Sequence, residues 1–360
     1  MLKRGYTESE AATTPRQLAL ILVVGALTVC ALNALAGRYL ERHGTNLAYL
    51  HIAHKWRVLG ELKRPVDWLL LGDSALAQGV DPALIEAARG KRAVNLGTIG
   101  NFGLTDDLWM LEEYIARFGA PEAVALVHGY DQWPRQLDRR LFGRIPRHWI
   151  FGGRFARREG LGLGARARFL VDRFVPLHTE RESLRRAVEL GYWRATSSLT
   201  QFDARLARRF VSGEWRFFPS VPVQRADGYV EMCGALPEYV RRQAAGILRG
   251  LRDEPAARAI SEENERAFGE IVALAERHRF TLHIMSSPLV DEVMRAPAVA
   301  ERWSAVRARL RELAATSGRV HLVDEVAGFV VGQMQGVDHI DCEVVPSYTR
   351  WLAQRLAEAP

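Results

Sequence analysis

Trp68-Leu69-Leu70-Leu71-Gly72-Asp73-Ser74 decides how this chain is read. Four consecutive apolar residues make a short buried strand, which stops at once in glycine, aspartate and serine. Such an ending sets a hydroxyl at the carboxyl edge of a sheet, the edge where open α/β folds bind ligands. Around it a rhythm of strands and helices recurs. Asp81-Pro82 opens a helix over 83–88, with an N-cap followed by proline in the first turn. Residues 93–96 form a second strand, and Thr105-Asp106-Asp107 caps an amphipathic helix that runs to about Phe118. Residues 123–128 form a third strand. Strands joined by helical crossovers imply a parallel sheet.

From about Gln132 to Ile260 the rhythm dissolves, and after that it returns. A helix is expected over 262–278, a strand over 281–285, a helix over 298–316, a strand over 320–323 and a closing helix over 345–357. The expected fold is therefore α/β, a three-layer α/β/α sandwich with a five-stranded parallel sheet. It is divided into a first part at 66–134 and a second part at 262–360. The intervening 135–261 reads as a mostly helical, basic insertion beside the active edge, with helices over 197–210 and 236–252. Between Arg135 and Arg168 it carries ten arginines against two acids, interleaved with Trp149, Phe151, Phe155 and Phe169. A solvated basic face accounts for such a run, and so does a surface that meets lipid headgroups or an anionic polymer.

At 360 residues with a net charge of +7, the chain has room for one large domain or two, and its excess charge is mostly arginine. No zinc-finger spacing, RNP motif or basic zipper is present, so nucleic acid is not an expected partner. Residues 18–37 carry no charge, and twenty residues at about 1.5 Å each span the roughly 30 Å of a bilayer core. We read 1–17 as a cytoplasmic tail, 18–37 as a transmembrane anchor and 38–65 as a polar, partly helical stalk. A cleaved signal peptide is the alternative, since Ala34-Leu35-Ala36 resembles a cleavage site. Either way the remainder is expected to be exported. Of the three cysteines, Cys30 lies in the apolar span. Cys233 and Cys342 either pair in an oxidising compartment or stay as buried thiols. No CxxC or Cys/His cluster suggests a metal, and no cofactor is expected.

Three blocks together carry a family resemblance. Leu71-Gly72-Asp73-Ser74 with Gly79 resembles the first block of the GDSL, or SGNH, hydrolases, whose sheet is flavodoxin-like. Asn95-Leu96-Gly97-Thr98-Ile99-Gly100 falls where that family's second block sits, and the resemblance implies that the Gly100 N–H helps form an oxyanion hole. His339-Ile340-Asp341, with Tyr348-Thr349 further on, resembles the last block, in which the catalytic histidine precedes the C-terminal helix. The resemblance covers about 66–134 and 262–357 and leaves the middle third unmatched. It implies Ser74 as nucleophile, His339 as base, and the N–H groups of Ser74 and Gly100 as oxyanion donors.

Two departures stand out. The family's third block ends in Gly-x-Asn-Asp, whereas His128-Gly129-Tyr130-Asp131 stands here, so Tyr130 takes the place of an oxyanion-binding asparagine. The family's aspartate, three residues before the histidine, is replaced by Gly336. Asp338 is the first substitute and Asp341 the second, with a Ser-His dyad or a distant acid such as Asp291 remaining. Adjacent residues usually point apart, so Asp338 needs a bent loop to serve His339. Asp73 is expected to brace its loop by hydrogen bonds to the backbone. Asn101, Asp131 and Ser286 are candidates for contact with substrate.

A single anchor ahead of such a domain resembles exported proteins that move O-acetyl groups on surface polymers. The expectation is a single-pass protein of a bacterial-type inner membrane, with its catalytic domain periplasmic or otherwise extracytoplasmic. It would be a serine O-acyltransferase or O-acyl esterase acting on a cell-surface polysaccharide or another O-acylated substrate. The resemblance also implies a membrane-embedded acyl-donor partner. A catalytically silent scaffold of a polysaccharide-export or acetylation complex is one alternative, and a lipid-facing esterase is another.

Overall fold

A computed structural model of the chain describes residues 14–43, 47–138, 141, 145, 148–185, 187–188, 223–253, 259–315 and 317–358. Its centre is a five-stranded parallel sheet of β1 (Trp68–Gly72), β2 (Ala93–Asn95), β3 (Ala123–His128), β4 (Thr281–Ser286) and β5 (Val320–Leu322), ordered β2-β1-β3-β4-β5. Every residue of β1 and β3 is buried, which explains why β1 reads as an unbroken apolar run rather than an alternation. Leu70 pairs with Ala125, and His128 with Ser286, so β1, β3 and β4 end side by side.

The connecting helices follow their caps closely. Asp81 accepts the Ala83 N–H at 2.9 Å and opens α4 (Pro82–Arg89), while α3 (Ser74–Gly79) springs directly from β1. The helix expected to start after Thr105 instead begins earlier, as α5 (Gly103–Phe118), with Thr105, Asp106 and Asp107 buried inside its first turns. Its free N–H at Leu104 is met from outside by Asn264 Oδ1 at 3.1 Å. That asparagine lies on a later helix, which no local reading of 103–107 takes into account.

The N-terminal segment forms one apolar helix, α1 (Pro15–His43), of which Pro15–Leu40 is long and apolar enough to cross a membrane. The segment after α1 is not a free polar stalk. Helix α2 (Leu47–Glu61) packs into the core through Ile52, Trp56, Val58 and Leu59. Three of its polar residues, His51, His54 and Lys55, are buried too. Lys55, 0 % exposed, donates to the Asn95 carbonyl at 3.0 Å, to Asn95 Oδ1 at 3.2 Å and to the Gly228 carbonyl. Trp56 Nε1 donates to Asp106 Oδ1 at 3.0 Å. Histidines and a lysine among apolar neighbours read as a solvated stretch because their partners lie 40 and more residues away.

Within the insertion are α6 (His148–Arg158), α7 (Leu163–Phe174), α8 (Pro176–Thr179), α9 (Pro237–Asp253) and a short antiparallel ribbon of Val223–Gln224 with Val230–Glu231. The helix expected over 197–210 lies outside the described residues. After it come α10 (Glu262–His278), α11 (Asp291–Met294), α12 (Pro297–Ala314) and α13 (Val345–Glu358). Cys233 and Cys342 are joined in a disulfide, which resolves the choice the sequence left open.

Lys55→Met keeps the aliphatic stem and removes the amine, leaving the Asn95 and Gly228 carbonyls without this donor. A loss of about 1–3 kcal/mol is expected, measured by urea denaturation. A variant as stable as wild type would show that only the stem contributes.

Candidate active site

Asp73 organises the loop that carries Ser74. As N-cap of α3 it accepts the N–H of Ala75 at 2.9 Å and of Leu76 at 3.4 Å through Oδ1. Oδ2 accepts the Gly129 N–H at 2.9 Å, and the Ser287 hydroxyl donates at 3.2 Å to both oxygens. One carboxylate thus ties the end of β1 to the ends of β3 and β4. Just before it, Gly72 has φ +153, and a Cβ there would overlap the Val127 carbonyl. Only glycine lets β1 turn out so close to β3.

Ser74 follows Asp73 and opens α3. Its Oγ lies 2.9 Å from His339 Nε2, and His339 Nδ1 lies 2.6 Å from Asp338 Oδ1. The bend that makes neighbours 338 and 339 face one another is a tight turn. Met334 bridges Ile340, and the N–H groups of Gln335 and Gly336 both donate to the His339 carbonyl, at 2.7 and 3.2 Å. A Cβ at Gly336 would stand 3.3 Å from His339 Nδ1, so this glycine leaves the space beside that nitrogen to Asp338. Burial alone would raise the Asp338 carboxyl. The charge and hydrogen bond of His339, with Arg135 further off, more than offset that and hold it below the ordinary carboxylate range.

Asp341 is placed elsewhere. Its Oδ2 accepts the Gly234 N–H at 2.6 Å and Gln335 Nε2 at 3.1 Å, bracing the loop from below. Asp291 pairs with Arg295 at 3.1 Å. The turn is also held from the insertion, where Gln243 of α9 accepts the Val337 N–H at 3.0 Å, and by the Cys233–Cys342 bond three residues past His339.

On the other side of Ser74, residues 97–100 form a loop. Thr98 N–H donates to the Gly72 carbonyl at 2.8 Å, and His51 Nε2 meets the Gly97 carbonyl at 3.2 Å from α2. Gly100 opens a single 3-10 turn, Gly100–Phe102. The space a Cβ would take on Gly100 is filled by the side-chain amide of Gln132, a buried group whose Oε1 has no partner among the described residues. Gln132 was not singled out in the sequence; its only signal was its place two residues after Tyr130. Tyr130 itself is buried, and burial pushes its phenol up from the ordinary value. Asp131 pairs with Arg135, and Asn101 comes after Gly100, its side chain outside the described residues. Ser286 turns its hydroxyl to the Ser287 carbonyl at 3.1 Å, so Ser287, rather than Ser286, is the residue that reaches Asp73.

Behind the loop lies a buried chain of charges. His128 Nε2 meets Asp107 Oδ2 at 2.7 Å, and its Nδ1 is 3.9 Å from Asp73 Oδ2. Burial lowers the imidazole, but the charge and hydrogen bond of Asp107, then Asp73 and Asp131, prevail and raise it above the ordinary value. Burial and the neighbouring Asp107 push Asp106 up to about 7, against hydrogen bonds from Thr98 and Trp56.

No protein-family model matches the chain, and the search of curated proteins returns no match.

A raised folded pKa means that the native state holds the His128 proton more tightly than the unfolded chain does. The stability it contributes is complete below the unfolded value, about 6.5, and is lost as pH rises through the folded one. Asp107→Asn is therefore expected to cost about 3 kcal/mol or more at pH 6, and clearly less at pH 9, by urea denaturation. Equal losses at both pH values would mean that His128 is neutral throughout.

Proposed function

We propose that this protein is an anchored, extracytoplasmic serine O-acyltransferase or O-acyl esterase of the SGNH type, acting on a cell-surface polysaccharide. The observation that carries the reading is the unbroken chain Ser74 Oγ, His339 and Asp338 at the carboxyl edge of the parallel sheet. Helices of both crossover sets, α4 with α13 and α5 with α10, support reading the sheet as the middle of a three-layer sandwich.

In the proposed reaction His339 Nε2 takes the Ser74 proton as Oγ attacks an ester carbonyl. Asp338 holds the imidazole by its Nδ1 proton and stabilises the imidazolium. Oxyanion stabilisation is assigned to the N–H groups of Ser74 and Gly100. Tyr130 is assigned as the third donor in place of the family's asparagine, and the Gln132 amide beside Gly100 is a further candidate. Collapse expels the alcohol, which takes the proton from His339, and leaves an acyl-serine. Water or an acceptor hydroxyl then gives its proton to His339 and attacks the acyl carbon, and Oγ leaves with that proton from His339, which restores the serine hydroxyl. Asp338 beside His339, with Gly336 vacating the family's usual acid position, argues for a working site over an inactive scaffold.

A serine-directed phosphonate should label wild type and not Ser74→Ala, and hydrolysis of an aryl acetate should fall by about 10⁴-fold or more in that variant. Asp338→Asn should lower kcat by about 10³–10⁴-fold, and Asp341→Asn should leave kcat largely intact in the protein that folds. Acetate released from an O-acetylated polysaccharide supports the assigned substrate, whereas fatty acid released from lipid would reassign it. An unlabelled, inactive wild type would return the chain to the scaffold reading.

Reducing the Cys233–Cys342 bond frees a loop of 109 residues. It is expected to cost about 2–4 kcal/mol and, since the bond ends beside His339, to lower labelling of Ser74. Full labelling after reduction would show that the histidine turn stands without it.

A further inference from the structure

The anchor helix is not separate from the folded body. From residue 14 to 32 its surface is open, but Asn33, Ala36 and Leu40 are buried and share one face. The insertion covers that face. The Leu177 N–H donates to Asn33 Oδ1 at 3.2 Å, and Pro176 Cγ stands 3.8 Å from the place of a Cβ on Gly37. The Tyr39 hydroxyl donates to the Ala187 carbonyl at 3.1 Å. Asn33 lies four residues before the end of the uncharged span at Gly37, about 6 Å of helix. With 18–37 filling the roughly 30 Å of an acyl core, Asn33 and the α8 that holds it fall near the core's outer edge.

Beside this joint α7 turns an apolar stripe outward. Leu163, Ala167, Val171 and Phe174 lie within about 80° of one another around the helix axis, and all are exposed. Leu163 is 81 % exposed, Val171 41 % and Phe174 57 %, and Leu177 continues the patch at 39 %. The inward side is marked by Phe169, buried with its ring centroid 6.3 Å from that of Phe155. Arg166 and Arg168 are exposed on either flank of the stripe. Surface helices usually hide such a stripe.

We propose that α7 and α8 lie in the headgroup boundary of the same bilayer that α1 crosses. The stripe enters the acyl region and Arg166 and Arg168 meet anionic lipid phosphates. This rests on reading α1 as the membrane anchor and is independent of the chemistry at Ser74. Continuity with the open apolar surface of α1, the depth at which Asn33 is gripped, and the flanking arginines all favour lipid over a second protein.

The test uses the full chain with Cys30→Ser, reconstituted in phosphatidylcholine vesicles with and without phosphatidylglycerol. Leu163→Cys and Val171→Cys each receive a polarity-sensitive fluorophore, and Ala305→Cys, exposed on α12, serves as reference. Nitroxide on the upper acyl chain should quench positions 163 and 171 at least about twofold more than 305, with a larger effect when phosphatidylglycerol is present. Two positions are used so that a misfolded variant at one leaves the other to decide. Quenching no greater than at 305, in protein that resists alkaline carbonate extraction, overturns the proposal. Protein released by carbonate overturns the anchor reading and this proposal with it. Neither result bears on phosphonate labelling of Ser74, which tests the chemistry separately.

Discussion

The Asp73 carboxylate holds the rim of the sheet in register. It is buried, and its two oxygens collect three backbone N–H groups and a hydroxyl from segments that come directly after β1, β3 and β4. Hydrogen bonds to an ionised acceptor are among the stronger ones a protein makes, and they lose much of their worth if one segment shifts. Ser74 therefore has its backbone position set from both sides before any base approaches. Gly72 makes this possible, because its φ of +153 and missing side chain let the chain leave β1 against the Val127 carbonyl.

His128 stands between Asp73 and Asp107, and the carboxyl groups on both sides raise its imidazole pKa against the effect of burial. Asp106, next in sequence to Asp107, is driven towards its neutral form, so the cluster does not carry every charge its composition suggests. On the opposite flank Lys55 has no carboxylate within hydrogen-bond range among the described residues. It is held by carbonyls, and burial pulls its pKa far down. The loop leading to Gly100 is thus fixed by polar groups from α2, while the turn that carries Ser74 is fixed by groups that come directly after β3 and β4.

The sheet was legible because its central strands are buried on both faces and write themselves as apolar runs, as in Leu69-Leu70-Leu71. Ser74 was legible as a candidate because it comes after a strand that stops in Gly72-Asp73, and His339 through the resemblance of His339-Ile340-Asp341 to a family block. What escaped depends on partners distant in sequence. Helix α5 starts at Gly103 because Asn264 meets its first turn, and nothing near Thr105 records that. Asp338 serves His339 through a turn whose bonds run between residues 335 and 339, so the usual divergence of adjacent side chains does not apply. Gln132 is noticed only once Gly100 is seen to leave room for it. The stretch after the anchor looked like a stalk because Lys55, His51 and His54 signal solvent in a sequence, whereas here each finds a carbonyl.

That last difference changes how the proposed chemistry relates to the membrane. A flexible stalk would let a site roam above the bilayer by the contour length of the linker. Helix α2 comes after α1 with only residues 44–46 between them, and it is keyed into the loop beside Ser74 by His51 and into Asn95 by Lys55. Swinging the body away from α1 would mean breaking the grip of the insertion on that helix, where Asn33 Oδ1 accepts the Leu177 N–H and the Tyr39 hydroxyl donates to the Ala187 carbonyl. With α1 read as the proposed anchor, the rim that carries Ser74 stays within one domain's width of the bilayer. The proposed acceptor polymer would then have to pass close to the membrane, and the proposed acyl donor would have little distance to cover.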